Sequence, residues 1–516
     1  MSNKASSHLF DLIKSLSKSE KRYFKLFAGR HTIGEENGYI RLFDFIDRMD
    51  DYQEDLVFMH FRGQAFLNKF SITKSRLYDN ILRSLDAFHA ASSPDAQIYR
   101  SIHNAEILFN KGLYSQCEKI LRSAEKQAQK HECLNLLLEI KQKQKLLIES
   151  KLYANSTPKK IEELYADERQ LIKDIDVNAR LWKTKSLLFQ EINLKGKLRS
   201  SDEIEKLNVI LSGIQDLDLE NGSAKNKHLF HHTKSAYYFA QNDLEKCYEH
   251  LQANIELVDS TKFIVSDQPN LLYSLLSNIV YVATRLKDFE KAQDYLSRLK
   301  AMAGGKNGKT NNLEIKYFST IYSLELSLYS EKGDYNKGLE LIPIIEEGYR
   351  LYDDKIPSLR KAYLDYQIAI LFLSTGNYND ALGRLNLILN NADVSPKQEI
   401  YAFSQMLNLI VHVELENNRF LPYAYSSAKR FFKKYNSNTK FESLFLKVIN
   451  EMIKVQNRFD LEDKLQKYLA QMEPLLEDKL ESTAFEYFDF YSWIKSKIER
   501  KEYQEIRKNK LLNEAV

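Results

Sequence analysis

A short turn motif recurs about every 43 residues through most of this chain. Its clearest copies read KGLY, KDF, KGDY and TGNY, and a fifth copy, QNDL, has leucine in the aromatic position. The five turn residues are Tyr114, Leu244, Phe289, Tyr335 and Tyr378, and the small residues three positions later are Cys117, Cys247, Ala292, Gly338 and Ala381. A period of this size indicates stacked helical hairpins, because a single hairpin cannot bury its apolar face alone.

Weaker copies fill the gap between Tyr114 and Leu244 and extend the same period beyond Tyr378. Their turn residues are Tyr153, Leu198, Phe420, Phe459 and Tyr503. In the last three copies the small residue is replaced by Tyr423, Glu462 and Ile506. We therefore expect the hairpin pattern to weaken toward the carboxyl end.

Proline positions support the same phasing without using the aromatic residues. Pro94, Pro269 and Pro357 each lie roughly 20 residues before a turn residue, and proline is favoured in the first turn of a helix. Pro396 has a similar place before Phe420. The spacing predicts first helices of about 17–20 residues, each followed by a return helix of similar length.

The pattern G-x-Y-x-x-A, as in Gly376, Tyr378 and Ala381, resembles the tetratricopeptide repeat. The resemblance implies an all-α fold, a right-handed α-solenoid of about nine to ten stacked helical hairpins over residues 93–516. It also implies that the first helix of each hairpin lines a concave surface. The repeat here is longer than the 34 residues of that family, and we transfer none of the family's peptide-contacting residues.

Residues 1–92 do not share the period, and we expect them to form a helical domain that caps the solenoid. Two amphipathic segments, Leu16–Phe27 and Phe70–Leu85, are similar to the first and last helices of a LuxR-like helix-turn-helix. About 40 residues separate them, which is too many for a compact helix-turn-helix. The alternative is a divergent DNA-reading module in which Lys74 and Arg76 contact DNA.

Composition narrows the class of protein. The formal net charge of +4 favours no particular partner, and no apolar stretch reaches the length of a membrane-spanning helix. Three widely spaced cysteines and an amino-terminal segment without an export signal predict a cytoplasmic protein. The sequence also contains no phosphate-binding glycine loop, nucleophile elbow or zinc-helix motif, so we expect a non-enzymatic protein without a cofactor.

Two clusters could bind a ligand. His228, His231 and His232 have a spacing that could hold a metal, although a solvated polar helix face is the favoured interpretation. Three consecutive predicted first helices, 135–151, 180–197 and 225–241, carry net charges of +2, +4 and +3.

The resemblance places those first helices on the concave surface, where their charges would form a basic groove. Its candidate residues are Lys141, Lys145, Arg180, Lys183, Lys195, Lys227, His231 and Lys234. We expect a cytosolic scaffold that binds a protein or peptide partner, with an acidic partner if the groove is real. The alternatives are scattered solvated lysines, a transcription regulator that reads DNA through residues 1–92, and an enzyme of unrecognised type.

Overall fold

The computed structural model describes residues 7–29, 38–90, 93–154, 156–195, 201–220, 222–261, 269–304, 311–352, 355–394, 399–434, 439–454, 458–478 and 481–514. All regular secondary structure in these ranges is helical, which confirms the all-α prediction. The chain divides into two compact units, Met1–Ile172 and Lys173–Val516. The predicted division at residue 92 is a different one and stays a prediction.

The first nine helices begin in the amino-terminal unit. They are α1 (His8–Ser15), α2 (Lys18–Gly29), α3 (Gly38–Arg48), α4 (Glu54–His60), α5 (Phe70–Phe88), α6 (Pro94–Asn110), α7 (Tyr114–Lys130), α8 (Leu134–Ser150) and α9 (Pro158–Lys195). Helices α1 to α5 enclose a core of their own, which includes Ile13, Phe24, Phe43 and Leu77. Helices α6 to α8 share a second core around Leu121.

The remaining helices of the described residues belong to the carboxyl-terminal unit. They are α10 (Ser201–Ser212), α11 (Ala224–Ala240), α12 (Leu244–Ser260), α13 (Pro269–Arg285), α14 (Phe289–Ala303), α15 (Asn311–Lys332), α16 (Tyr335–Tyr352), α17 (Ser358–Ser374), α18 (Tyr378–Leu389), α19 (Glu399–Glu414), α20 (Leu421–Lys434), α21 (Lys440–Lys454), α22 (Arg458–Glu477), α23 (Phe490–Glu499) and α24 (Tyr503–Glu514). Consecutive helices from α11 to α24 pack against each other. In addition, α13 packs against α15, α15 against α17, and α17 against α19.

The turn motif marks helix starts. Tyr114, Leu244, Phe289, Tyr335 and Tyr378 are the first residues of α7, α12, α14, α16 and α18. The small residues three positions later are buried in every one of these helices. Their size lets the neighbouring helix approach closely, because a larger side chain at the contact would hold the backbones apart.

A common backbone geometry explains these turns. Two positions before the helix start, a residue has left-handed backbone torsions, for example Asn242, Lys287 and Gly376. The following residue donates its N–H to the carbonyl five residues earlier, as Asn377 does to Phe372 at 2.8 Å. This arrangement satisfies carbonyl groups at the end of the preceding helix. The same turn precedes Leu134, where the sequence motif is absent.

Pro94 and Pro269 begin α6 and α13, and Pro357 directly precedes α17, as proline placement predicts. Pro396 lies outside the described residues, and so does the turn residue Leu198. A single helix, α9, covers the stretch where we expected the end of one hairpin and the start of the next.

Three weaker turn residues differ from expectation. Tyr153, Phe420 and Phe459 are exposed, so they do not fill the wedge between two helices. At the α19–α20 turn the predicted register is wrong by one residue. The buried first residue of α20 is Leu421, and Ala424 three positions later packs against the core.

Candidate binding surface

Six alternate helices, the first helices of the predicted hairpins, line a common cavity in the carboxyl-terminal unit. Helices α9, α11, α13, α15, α17 and α19 each contribute side chains to a cavity of about 400 Å³, the polar cavity. We call the surface that these six helices form the first-helix surface. The polar side chains of the cavity include Tyr281, Arg285, Tyr363, Gln367, Glu399 and Glu486. A cavity of this size, with a few converging polar groups, is typical of a ligand-binding site.

A second cavity, the apolar cavity, has a volume of about 440 Å³ on the same surface. It shares four wall residues with the polar cavity, namely Ile192, Phe239, Tyr281 and Leu324. Its remaining wall is mostly carbon, from residues such as Phe189, Leu251 and Val282. The two cavities therefore place an apolar site next to a polar one.

The imidazole of His232 also lines the apolar cavity, where it stacks against Phe189 with ring centroids 5.3 Å apart. Burial, with smaller effects from His228 and Lys185, lowers the pKa of His232 to about 4. The ring is therefore neutral near pH 7, and the cavity wall keeps its apolar character.

A segment near the carboxyl end of the chain, Glu481–Tyr487, crosses the first-helix surface, and we call it the strap. It contains a short 3₁₀ helix, Ser482–Glu486. The strap reaches the turn after α11 through a hydrogen bond of 3.2 Å from Asn242 to Ser482. The Tyr281 hydroxyl of α13 donates to the Glu486 carboxylate at 3.0 Å, and Arg285 donates to the Glu486 carbonyl oxygen.

The other end of the strap contacts α17 and α19. The Tyr366 hydroxyl donates to the carbonyl oxygen of Tyr487 at 3.3 Å. The Tyr487 hydroxyl in turn donates to the Glu399 carboxylate at 2.8 Å, and its ring stacks on Phe403 with centroids 3.9 Å apart. The strap thus closes one side of the polar cavity with contacts to the turn after α11 and to helices α13, α17 and α19.

A buried ionic cluster anchors the chain that follows the strap. Arg507 of α24 donates to Asp489 and to Glu331 of α15, each at 2.7 Å. Glu331 also accepts from Arg285, and Asp489 also accepts from Lys510. Burial opposes ionisation of Asp489, but the charges of Arg507 and Lys510 lower its pKa to about 2. The cluster holds the strap against the first helices, because Arg285 contacts both.

Arg285 links the cluster to the polar cavity. Burial disfavours its charge, but Tyr281, Glu331 and Glu486 raise the pKa of the guanidinium above its ordinary value. Its buried Nε–H has no hydrogen-bond acceptor among the described residues. An unpaired buried donor in a cavity wall can bind an acceptor on a ligand, because leaving it unpaired is costly.

The predicted basic residues lie at separate places. Lys141 and Lys145 are on α8 in the amino-terminal unit. Lys141 is only 5% exposed and binds Glu125 and Asp167, each at 2.7 Å. Lys145 pairs with Glu168. Their charges are therefore balanced by neighbouring carboxylates.

The other six basic candidates are in the carboxyl-terminal unit. Arg180 pairs with Asp216, and Lys227 donates to the Glu220 carbonyl at 2.8 Å. Lys183 is exposed, and the side chain of Lys195 lies outside the described part of the structure. The last two candidates, His231 and Lys234, lie on α11. A role for any of these residues in partner binding stays a prediction.

His231 and Lys234 lie among aromatic rings of α11 and α12. The Nδ1 atoms of His231 and His250 are 3.0 Å apart, and the Lys234 ammonium lies over the ring of Phe230. His228 contacts Asn254 at 2.7 Å. The histidine cluster is thus half-buried and hydrogen-bonded, which differs from the solvated face that we expected. Among the described residues, no group of three or more His, Cys, Asp and Glu side chains is placed to hold a metal ion.

The two DNA-contact candidates differ in their surroundings. Lys74 donates to Glu54 at 2.7 Å and lies over the Phe70 ring, whereas Arg76 is exposed on α5. Ser17 and Glu20 cap the start of α2, where the Ser17 N–H donates to the Glu20 carboxylate. Helix α2 packs against α5.

Sequence reasoning missed the strap, some of whose contacts join residues more than 200 positions apart. No helix within the described ranges has both the length and the apolar character needed to cross a bilayer. Searches of protein-family models and of curated proteins found no match to this chain.

Proposed function

We propose that this chain is a non-enzymatic scaffold that binds a protein or peptide partner on the first-helix surface. In this proposal the hairpins from residue 93 onward stack as a right-handed, tetratricopeptide-like α-solenoid. The observation that carries the proposal is that the six helices of this surface line the polar cavity, and that four of them, together with α12, line the adjoining apolar cavity. A long surface built from successive repeats is suited to a partner that extends over several of them.

Direct packing between first helices supports the same proposal. Helix α15 packs against both α13 and α17, so their side chains form one continuous surface. The sequence supports the non-enzymatic part, since it contains no catalytic motif. The three cysteines are all buried thiols, which fits a reducing cytoplasm as the place of action.

A more specific form of the proposal is that the partner is acidic and binds the basic candidates. Lys141, Lys145 and Arg180 each have a carboxylate partner, so their contribution to a long-range potential is reduced. An acidic partner would therefore depend on the other candidates, and its affinity would fall as salt screens the charges beyond about 10 Å. We base the proposal on the cavities for this reason.

The test compares two exposed asparagines of α13. Asn278 lines the apolar cavity, whereas Asn270 lies two turns earlier and lines neither cavity. The full-length chain and its Asn278→Trp and Asn270→Trp variants are immobilised, and proteins captured from a lysate of the native host are quantified by mass spectrometry. We expect proteins that wild type and Asn270→Trp retain and that Asn278→Trp loses.

Equal capture by all three chains would contradict partner binding at this surface. Circular dichroism spectra and thermal midpoints of the variants establish that both remain folded. Both substitutions place a large ring at an exposed helix position, so a general effect of the indole would appear in both.

A further inference from the structure

We infer that the partner binds as an extended peptide segment with one large apolar side chain in the apolar cavity. The inference rests on the proposed function and specifies the chemistry of the partner. In this inference the apolar cavity determines binding. The basic candidates of the sequence analysis do not, because none of those candidates lines either cavity in the described structure.

We call the partner's side chain in the apolar cavity the anchor. The walls of the cavity disfavour a charged anchor. The described lining contains no Asp, Glu, Lys or Arg side chain, and His232 is neutral near pH 7. An ion moved into such surroundings loses its hydration without gaining a partner, which is strongly unfavourable. A phenylalanine, tryptophan or leucine side chain would instead bury apolar area against Phe189, Phe239 and Val282.

The volume of the cavity fits one such side chain together with part of the adjoining backbone. About 440 Å³ exceeds what a small aliphatic group would fill, and it falls within the range of natural binding sites. The cavity shares its walls with the polar cavity, so the atoms next to the anchor would meet polar groups.

Those polar groups match a peptide backbone, which alternates donors and acceptors. The Arg285 Nε–H is a buried donor without an acceptor among the described residues. The Gln367 amide offers both a donor and an acceptor in the same cavity wall. Backbone carbonyl and N–H groups of an extended segment can pair with these side chains, because such a segment leaves its own groups unpaired.

The strap gives an internal example of this recognition. It is a short segment that contains a single 3₁₀ helix, and the side chains of Arg285 and Tyr366 bind its backbone carbonyl oxygens at Glu486 and Tyr487. The surface therefore already binds peptide carbonyl groups within this chain. The apolar cavity lies next to these contacts through the shared residue Tyr281. For this reason we favour a peptide over a free small molecule as the occupant.

Two serines of α13 provide a matched pair of variants. Ser277 lines the apolar cavity, whereas Ser274 does not. Both hydroxyls donate to the carbonyl four residues earlier, at 2.7 Å and 3.0 Å. Phenylalanine at position 277 would fill the cavity from its wall, and phenylalanine at position 274 removes the same kind of hydrogen bond without entering it.

The experiment uses a displayed library of random twelve-residue peptides, selected on the immobilised full-length wild-type chain. We expect the enriched peptides to share one position occupied by Phe, Trp, Leu or Ile. For a synthetic peptide from this set, Ser277→Phe should weaken binding by about 10- to 100-fold, since an apolar side chain loses its burial. Ser274→Phe should change the affinity by less than about twofold, and alanine at the anchor should reproduce the loss.

Three results would overturn the inference and leave the proposed function standing. The first is enrichment of peptides with acidic anchors, the second is peptide affinity that Ser277→Phe does not change, and the third is binding of a small apolar molecule without any peptide. If no peptide is enriched but Ser277→Phe abolishes binding of the dye 1-anilinonaphthalene-8-sulfonate, the occupant is a small apolar molecule and the inference is wrong. The protein-capture experiment with Asn278→Trp judges the proposed function separately.

Discussion

The turns at Tyr335 and Phe420 occupy equivalent places in the sequence period but differ in burial. Tyr335 is 6% exposed, whereas Phe420 is 66% exposed. A left-handed residue precedes both, Gly333 in one turn and Glu416 in the other. After Gly333 the next helix begins two residues later, but after Glu416 it begins five residues later, at Leu421. The periodic motif therefore locates the turn, while the length of the turn decides which side chain is buried.

The surroundings of the two turns differ as well. Burial raises the pKa of Tyr335 to about 12, with smaller effects from Arg507, Glu331 and Asp489 nearby. Helix α24 brings Arg507 to this place, and Leu511 of the same helix lies against Gly333. The turn at Tyr335 is thus covered by the carboxyl-terminal helix, whereas Phe420 faces solvent.

The largest expected effect separates the two turn aromatics. Tyr335→Ala should lower the free energy of unfolding by about 3–5 kcal/mol, because it removes a buried aromatic ring and leaves a cavity. Phe420→Ala should change it by no more than about 0.5 kcal/mol, as is usual for an exposed side chain. Urea unfolding followed by circular dichroism measures both values.

Leu421→Ala checks the corrected register. Leu421 is 5% exposed, and its truncation should cost about 2–4 kcal/mol, close to Tyr335→Ala and unlike Phe420→Ala. If Phe420→Ala were the more destabilising of the two adjacent substitutions, Phe420 and not Leu421 would fill the wedge.

A second effect depends on pH and concerns the ionic cluster beside Tyr335. The pKa of Asp489 is lowered from 3.8 to about 2 in the folded chain, so its ionised form stabilises the fold above about pH 4. That contribution is lost as the pH falls from about 4 toward 2, and it amounts to about 2 kcal/mol. When urea unfolding is repeated across that range, the unfolding free energy of wild type should fall by about 2 kcal/mol more than that of Asp489→Asn.

The comparison with Asp489→Asn removes the effect of other carboxylates, which titrate in both chains. A constant difference in unfolding free energy between the two chains from pH 5.5 to 2.5 would mean that Asp489 has an ordinary pKa. Phe420→Ala should show the same pH dependence as wild type, because that turn has no part in the cluster.

The smallest effect concerns the glycines of the two return helices α16 and α18. A Cβ atom on Gly338 would lie 2.8 Å from two methyl carbons of Leu371, whereas one on Gly383 meets no heavy atom within 4 Å. Gly338→Ala should therefore destabilise the chain by about 1 kcal/mol through overpacking. Gly383→Ala should stabilise it by about 0.5–1 kcal/mol, since alanine favours the helix.

The thermal midpoints of these two variants should move in opposite directions. If both midpoints rose, helix propensity, and not close packing after Tyr335, would determine which residue is tolerated there.

Local features of the fold could be predicted from the sequence, because short segments determine them. Gly376, Tyr378 and Ala381 together specify a helix end, a helix start and a close helix contact. The continuity of α9 was also available in the sequence, since neither glycine nor proline occurs between Pro158 and Gly196. The 43-residue period nevertheless predicts a break in this stretch.

The site could be predicted only in part. The resemblance gave the helices that would face a partner, but it did not identify the side chains that line the cavities. Lys141 shows the reason, because its charge is balanced by Glu125 of α7 and Asp167 of α9, which only the folded chain brings to it. The strap was also beyond sequence reasoning, since residues 240 positions apart, Asn242 and Ser482, determine one of its contacts.

The strap has a consequence for biosynthesis. A ribosome adds roughly 5–20 residues per second, so Ser482 is made roughly 10–50 seconds after Asn242. During that interval Tyr281, Arg285 and Glu399 have emerged, but the strap groups that bind them do not yet exist. The nascent helices therefore present an open surface that lacks its hydrogen bonds to the strap. The polar cavity reaches its final form only when translation has passed Tyr487.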